Sequence, residues 1–339
     1  MSTLYDEINQ AYLLAIEEEL KRALDQAKDN GNSQLYEILS YHMGWHDPAN
    51  RDKPHGKRIR PLLVLLTCSA AGGSWQTALP ASAAVELVHN FSLIHDDIED
   101  NSPLRHGRDT VWKKWGVPHA INAGDAMFTL AHLQSVRLAE RIPHTSALKA
   151  VEILQQACLH LTQGQYLDLA YEIQENVTLE DYWQMVDGKT AALFSASTEL
   201  GALSSFADSK TCEVYKRFGR LLGLAFQVQD DFLGIWGDSL LTGKSSQSDL
   251  VTRKKTLPVL FGLSKAGEFA SLWRKKSTDP GLIPELIRLL EMEGGKEFTQ
   301  AQGVELVNKA ILLLNEAHPT GQPAELLSDL VRSLANRQV

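Results

Sequence analysis

Cysteine is scarce in this chain. The three cysteines, Cys68, Cys158 and Cys212, are odd in number and far apart in the sequence. Their spacing matches no zinc motif, and an unpaired set fits a reducing compartment better than a disulfide framework. We therefore expect three buried thiols and a cytoplasmic protein.

Long apolar runs are also missing. No stretch of about 18 uncharged apolar residues occurs, so the sequence predicts no membrane-spanning helix and no stable membrane insertion. The first seven residues lack the basic start and apolar core of a signal peptide. Positive charge is in deficit, with 33 Lys and Arg against 42 Asp and Glu and a net charge of -9. This balance argues against a nucleic-acid partner, and an anionic substrate would have to meet a local basic cluster.

The alternation typical of strands is rare, whereas apolar residues recur at helical spacing nearly throughout. With 44% hydrophobic residues, the chain can bury a large core, and we expect a single all-α domain over residues 1–339. A first helix is marked by the apolar positions between Leu13 and Leu24. Further helices are predicted at 59–71, 79–97, 117–140, 146–173, 179–204, 209–236, 257–271, 281–293, 299–316 and 323–336. Polar loops are predicted at 44–56, 100–110 and 237–256.

Two of these helical stretches end in a pair of aspartates. Asp96 and Asp100 are four residues apart, which places them on one helix face with Asp97 beside them. The second pair is Asp230 and Asp231. Buried carboxylates are unfavourable without a cation, and magnesium takes oxygen ligands that substrate phosphates complete. The two pairs therefore indicate a phosphate-bearing substrate bound through metal, although one such pair alone would more simply be a solvated helix end.

Basic residues occur where a diphosphate would need them. Lys57 and Arg60 are three apart at the start of a helix, where backbone N–H groups also favour anions. A second basic cluster spans residues 105–108, and Lys189 and Lys244 are further candidates. Taken alone, the segment with Lys57 and Arg60 is better explained as a solvated basic turn, and the other basic residues are individually weak evidence because nearby acidic residues often form only surface ion pairs.

Taken together, the motifs resemble those of the trans-isoprenyl diphosphate synthases, also called polyprenyl synthetases. The family's order and spacing are matched over about residues 56 to 260 by Gly56-Lys57-Arg58-Ile59-Arg60-Pro61, Asp96-Asp97-x-x-Asp100, Gly164-Gln165 with Asp168, Gly188-Lys189-Thr190 and Gln229-Asp230-Asp231. The resemblance implies an isoprenoid-synthase-like bundle of long helices around a central cavity. It also implies a homodimer that binds more than one Mg²⁺ ion.

The resemblance assigns roles by position. Metal binding falls to Asp96, Asp97, Asp100, Asp230 and Asp231, which with Lys189 are the expected catalytic residues. The allylic prenyl diphosphate is expected at Arg105, Lys189 and Lys244, and isopentenyl diphosphate at Lys57, Arg60 and His89. Further substrate contacts are expected from His106, Thr190 and Gln229.

The implied chemistry is metal-assisted ionisation. Metal and cationic side chains draw the diphosphate away as a leaving group and leave an allylic carbocation. The double bond of isopentenyl diphosphate attacks this cation, and a proton is then lost to the departed diphosphate. Apolar walls keep water from the cation.

The chain departs from the family pattern at two positions. The second box normally ends in a third aspartate, but Gly234 stands there, and His106 stands where a second arginine is common. A histidine with its usual pKa is only partly charged at pH 7. We therefore expect weaker binding at these two places and no loss of the site.

Product length is predicted from Phe91 and Ser92, about one turn before Asp96. In the resembling family an aromatic residue at this place is typical of enzymes that make geranylgeranyl diphosphate, so we expect a product of about twenty carbons. Three other readings remain: a farnesyl diphosphate synthase, a class I terpene cyclase that uses one prenyl diphosphate, and a regulatory subunit without activity.

Overall fold

The computed structural model describes residues 2–28, 33–45, 58–237, 248–275 and 279–336. This part of the chain is almost entirely helical, so the predicted all-α class is confirmed. In chain order the helices are α1 (Ser2–Leu24), α2 (Gln34–His42), α3 (Ile59–Ala70), α4 (Leu79–Glu99), α5 (Val111–Trp115), α6 (Val117–Val136), α7 (His144–Ile173), α8 (Leu179–Val186), α9 (Ala192–Ser204), α10 (Ser209–Trp236), α11 (Ser248–Val251), α12 (Leu257–Ser264), α13 (Glu268–Arg274), α14 (Ile283–Met292), α15 (Gly295–Glu316) and α16 (Gly321–Asn336).

Shorter elements join the helices. A two-stranded antiparallel hairpin follows α4, with β1 at Leu104–Arg105 and β2 at Arg108–Asp109. A π-helical turn, Asp187–Ala191, connects α8 to α9. Turns of 3₁₀-helix occur at Asp25–Ala27, Trp75–Ala78, Arg137–Glu140 and Pro280–Leu282. None of the helices described is both long enough and apolar enough to cross a membrane.

Helical periodicity located most helices to within a few residues. The segments predicted at 59–71 and 209–236 are α3 and α10. Two predicted helices are each divided in the structure. The segment 179–204 contains the π-helical turn, and 257–271 is broken where Ala266 takes a left-handed φ of 52° before Gly267. A left-handed residue ends a right-handed helix, so α12 and α13 are separate.

The chain divides into two compact units, and α7, α9, α10 and α16 contribute residues to both. The first unit comprises Met1–Cys158, Ala196–Lys216 and Ala317–Leu327. The second comprises Leu159–Ser195, Arg217–Glu316 and Ser328–Val339. The single domain expected over residues 1–339 stays a prediction.

In the first unit, α4 is buried along most of its length and packs against α1, α3 and α6. Its contact with α6 is close because Gly124 of α6 has no side chain. A Cβ at this position would lie 2.1 Å from Nε2 of His95 on α4. The close approach holds the end of α4, which carries the first aspartates, against a neighbouring helix.

Among the residues described, two hydrophobic clusters contribute to the core of the second unit. One cluster gathers buried residues of α7, α8, α10 and α12, including Tyr182, Leu224 and Leu257. The other includes Ile235 at the end of α10 and Leu250 of α11. The clusters thus fix the start of α12 and the position of α11 beside the second aspartate pair.

Candidate active site

The first aspartates stand at the end of α4 and differ in exposure. Asp97 is 2% exposed, Asp96 is half-buried and Asp100 is exposed. Both carboxylate oxygens of Asp97 accept from Arg105 Nε at 3.0 Å, and Oδ1 also accepts from Nη2 at 2.8 Å. Burial raises the pKa of Asp97, and the Arg105 guanidinium opposes that rise. Asp96 and Asp100 are therefore the more accessible carboxylates, whereas Asp97 holds an arginine in place.

Arg105 reaches Asp97 from the β hairpin. Its two-residue turn is made by His106 with φ 51° and Gly107 with φ 76°, the two left-handed positions of a type I′ turn. Thr110 N–H donates to Pro103 O at 3.0 Å and closes the loop. His106 is exposed at the tip. The sequence analysis treated residues 100–110 as a plain loop, although the His-Gly pair is a recognisable turn signal.

Arg60 and His89 meet between α3 and α4. The guanidinium Nη1 of Arg60 donates to Nε2 of His89 at 3.2 Å. Burial lowers the pKa of Arg60 to about 10. Burial and the neighbouring Arg60 charge lower the pKa of His89 well below its usual value. Arg60 is therefore a cation at neutral pH and His89 a neutral acceptor. The structure thus brings together two of the residues that the sequence predicted to bind isopentenyl diphosphate.

A buried ion pair supports the start of α3. Arg58 is 6% exposed and has a left-handed φ of 41°. Its Nε donates to Glu17 at 2.7 Å and its Nη1 to Glu86 at 2.6 Å. Asn90 also donates to Glu86, at 3.1 Å. This network fixes the residue two positions before Arg60, and the sequence analysis gave Arg58 no role of its own. Lys57 and Lys244, both predicted to bind substrate, lie outside the described residues.

The two aspartates of the second pair, which lie in the second unit, differ in solvent exposure. Asp230 is exposed, whereas Asp231 is 4% exposed. Oδ2 of Asp231 accepts from the Tyr182 hydroxyl at 2.7 Å and from Leu257 N–H at 2.9 Å, and Oδ1 accepts from Gln227 Nε2 at 2.8 Å. Burial raises the pKa of Asp231 to about 7, against the effect of these hydrogen bonds. Asp231 thus binds the first N–H of α12, and Asp230 is the member that solvent and ligands can reach.

Lys189 and Thr190 lie on the π-helical turn. Gly164 of α7 permits this turn to approach, since a Cβ there would lie 2.0 Å from Lys189 N. Lys189 donates a hydrogen bond to Asp168, and Lys254 lies 3.9 Å from the same carboxylate. The two lysines hold the pKa of Asp168 below its usual value despite burial. Single π-helical turns are frequent at functional sites because they redirect side chains.

A chain of hydrogen bonds links this turn to the second aspartates. Thr190 Oγ1 donates to Gln227 Oε1 at 2.7 Å, and Gln227 in turn donates to Asp231. Gln229, the remaining predicted contact, is half-buried and borders a small cavity with Phe232 and Thr299. Tyr182 and Gln227 were not found from the sequence because their roles arise from contacts with distant residues.

The position that departs from the family pattern has a specific neighbour. A Cβ on Gly234 would lie 2.1 Å from Oδ2 of Asp249 and 2.7 Å from its Cγ. The Asp249 charge also contributes to the raised pKa of Asp231. The carboxylate of Asp249 therefore lies at the helix backbone where a third aspartate would have begun.

The two residues predicted to set product length, Phe91 and Ser92, differ in their contacts. Phe91 makes edge contacts with His95, with ring centroids 5.8 Å apart, and with Phe128 of α6 at 5.2 Å. Phe128 in turn packs against His132 at 4.2 Å. Ser92 donates to His89 O at 2.8 Å within α4. Phe91 thus belongs to an aromatic row between α4 and α6.

The carboxylates suit a hard cation that shares its ligands with a substrate. Among the residues described, no three Asp, Glu, His or Cys side chains converge closely enough to hold an ion by themselves. Magnesium does not require such a cage, because it retains waters and binds substrate phosphates. In the first unit Asp96 and Asp100, one turn apart, offer oxygen ligands of this kind, and in the second unit the exposed Asp230 does so. The carboxylates of each unit therefore fit Mg²⁺ whose remaining ligands come from a diphosphate.

Known proteins resemble this chain over most of its length. A family model described as polyprenyl synthetase matches residues 47–290. The chain is 39% identical over 325 residues to (2E,6E)-farnesyl diphosphate synthase of Mycobacterium tuberculosis, covering 93% of this chain and 89% of the relative. It is 40% identical over 302 residues to geranylgeranyl diphosphate synthase of the same organism, covering 87% and 85%. The crystal structure of polyprenyl synthetase from Streptomyces coelicolor A3(2) superposes with a TM-score of 0.84 at 34% identity, covering 95% of this chain and 96% of that one.

Proposed function

The chain belongs to the polyprenyl synthetase family, and from this premise we propose that it joins an allylic diphosphate to isopentenyl diphosphate. The proposed product is all-trans geranylgeranyl diphosphate. Two mycobacterial relatives of the chain are named as farnesyl and geranylgeranyl diphosphate synthases. These names support short-chain prenyl transfer more strongly than they support either one of the two products.

The arrangement of one face of α4 carries this proposal. His89, Ser92, Asp96 and Asp100 follow one another at intervals of three, four and four residues, which places them on a single helix face. At 1.5 Å per residue, His89 and Asp96 are separated by about 10 Å along the helix. His89 is paired with the Arg60 cation, and the aspartates suit metal. Two distinct anion sites on one face favour a reaction of two diphosphates over a cyclase, which uses one.

The basic side chains that are proposed to bind the diphosphate each form an ion pair with a carboxylate. Arg105 is paired with Asp97, and Lys189 with Asp168. Because each carboxylate fixes its partner's side chain, little conformational freedom is lost when a diphosphate binds. Magnesium, when bound, would neutralise the diphosphate and favour its departure. Asp96, Asp100 and Asp230 are the residues proposed to hold it, with Asp97 and Asp231 in support.

The chemistry then follows from the charges that the side chains present. Arg105 and Lys189 stabilise the leaving diphosphate as its bond to the allylic carbon breaks with both electrons staying on oxygen. Arg60 and His89 hold isopentenyl diphosphate so that its double bond attacks the carbocation. The attack forms a new carbon–carbon bond and a new carbocation, which loses a proton to the departed diphosphate to give the product, so no protein base is required.

Product length is proposed to depend on Phe91. Its ring is braced by Phe128, so a growing chain that reached it would have to displace two aromatic rings from α4 and α6. Ser92 is too small to stop the chain. A floor this close to Asp96 favours a short product, and the proposed length of about twenty carbons rests on the resemblance to enzymes that carry an aromatic residue at this place. One isoprene step corresponds to roughly one helical turn of depth, so products of fifteen and twenty-five carbons are the neighbouring lengths.

A homodimer is also proposed. Val117, Ile121 and Phe128 lie on one face of α6 and are 41%, 44% and 37% exposed. Apolar residues that follow one helix face favour burial against a partner, here a second copy of the chain. Sedimentation of the purified protein at micromolar concentration tests this.

The buried free cysteines support a cytoplasmic location.

The test of the proposed reaction is product analysis. The purified chain is incubated with Mg²⁺, radiolabelled isopentenyl diphosphate and each allylic diphosphate in turn, and the dephosphorylated products are separated by chromatography. Labelled geranylgeraniol supports the proposal, and labelled farnesol supports the alternative product. Cyclic hydrocarbon from an allylic diphosphate alone would identify a cyclase. No turnover with any primer would favour a regulatory subunit.

A further inference from the structure

The glycine at position 234 faces the same side of α10 as Asp230. The two residues are four apart, so they are neighbours on the helix surface. Glycine in a helix interior is less favourable than alanine by about 1 kcal/mol. Gly234 has no left-handed φ that would require glycine. Another reason must therefore account for a residue without a side chain.

That reason is the carboxylate of Asp249. A Cβ added to Gly234 would lie 2.1 Å from its Oδ2, 2.7 Å from its Cγ and 3.2 Å from its Oδ1. All three distances are shorter than an ordinary van der Waals contact. The space that a side chain at position 234 would enter is therefore filled by a carboxylate from another helix.

Packing fixes Asp249 in that place. Its neighbour Leu250 is 1% exposed and belongs to the same buried cluster as Ile235, the residue after Gly234. The chain after α11 turns back on Asp249, whose carbonyl accepts from Lys254 N–H at 2.8 Å. The backbone of α11 at Asp249 is therefore held beside the end of α10.

We propose that Asp249 supplies the carboxylate that Gly234 lacks, so that Asp249 and Asp230 together bind metal at the second aspartate set. This inference rests on the proposed function, which requires metal there. Asp231 cannot easily serve, because its oxygens accept from Tyr182, Leu257 and Gln227. The third carboxylate of the set thus comes from α11 instead of from α10, the helix of Asp230. Because Gly234 has no side chain, the space beside α10 is available to the Asp249 carboxylate.

Metal binding without turnover tests the inference separately from the reaction. Binding of Mn²⁺ in the presence of inorganic diphosphate is followed by electron paramagnetic resonance for the wild type and for Asp249→Asn. Loss of one carboxylate ligand should weaken Mn²⁺ binding about tenfold or more. Glu268→Gln is the matched control, since it also removes a first-turn carboxylate from a helix of the second unit, and it should leave binding unchanged.

A carboxylate exchange distinguishes a metal ligand from a helix-stabilising charge. Gly234→Asp alone should clash with Asp249 and lower the melting temperature. Combined with Asp249→Ala, which vacates the space, it should restore most of the Mn²⁺ affinity lost in Asp249→Ala alone. Unchanged affinity in Asp249→Asn would overturn the inference, and so would a folded double variant no better than Asp249→Ala. If the exchanged protein does not fold, Asp249→Asn still decides the matter. Failure of the wild type to elongate any primer would instead count against the proposed function.

Discussion

Arg105 holds the buried carboxylate of Asp97 through its Nε and Nη2 atoms at 2.8 to 3.0 Å. The Arg105 side chain is 29% exposed while that of Asp97 is 3% exposed, so the pair joins a buried anion to a cationic side chain that a ligand can still approach. The β hairpin is thereby fixed to the end of α4, next to Asp96 and Asp100.

Removal of the arginine is predicted to affect both stability and substrate binding. Arg105→Gln leaves the Asp97 carboxylate without its main partner, which should lower the free energy of unfolding by about 1–3 kcal/mol. Adding Asp97→Asn should recover much of that loss, because the neutral amide is easier to bury. The KM for the allylic diphosphate should stay high in both variants. Urea unfolding and steady-state kinetics measure the two effects, and recovery of KM in the double variant would contradict a binding role for Arg105.

Stability should depend on pH through Asp231. Its pKa in the folded protein is about 7, above the ordinary value of 3.8. The folded state therefore holds this proton more tightly than the unfolded state. The resulting stabilisation is fully present below the ordinary pKa and is lost as the pH rises through about 7. Without divalent ions, the wild type should lose more unfolding free energy between pH 4 and pH 8 than Asp231→Asn. Parallel pH curves for the two proteins would refute the raised pKa.

A methyl group at Gly164 is predicted to disturb Lys189. The Cβ of Gly164→Ala would lie 2.0 Å from Lys189 N, so α7 and the π-helical turn must move apart. We expect a lower melting temperature and a reduced kcat. Gly303→Ala is the control, because its Cβ would meet Val228 at an ordinary 3.5 Å. That variant should be neutral or more stable by about 0.5–1 kcal/mol. Equal behaviour of the two variants would show that the close approach has no consequence.

Product length should change with residues of the aromatic row. Phe91→Ala is expected to shift the main product longer by about one isoprene unit, since the ring no longer blocks the chain. Ser92→Phe should shorten it, and Ser92→Ala should leave it unchanged. Chromatography of dephosphorylated products measures all three. An unchanged product in Phe91→Ala would place the floor elsewhere.

Helical spacing was sufficient to locate α3 and α10, because apolar residues on one face report directly on burial. It could not show the break at Ala266 or the π-helical turn at Lys189. Each depends on a local conformation that apolar spacing does not encode: a left-handed residue in one case and the close approach of Gly164 in the other.

The candidate residues were recognisable from the sequence, but the separate role of each residue was not. Asp230 and Asp231 are adjacent and chemically identical, yet one is exposed and the other is buried. The difference arises from Tyr182 and from Leu257 N–H, which are 49 and 26 residues away. Likewise, the sequence shows only a missing carboxylate at Gly234, whereas in the structure the carboxylate of Asp249 lies beside that position.

One face of α4 is proposed to serve two separate diphosphates, and the kinetics of Arg60→Gln distinguish the two sites. The variant removes the cation beside His89 and leaves the aspartates untouched. The KM for isopentenyl diphosphate should rise about tenfold or more, as expected for the loss of a charged hydrogen bond, while the KM for the allylic diphosphate stays within about twofold. Equal increases in both constants, or no increase in either, would contradict two separate sites.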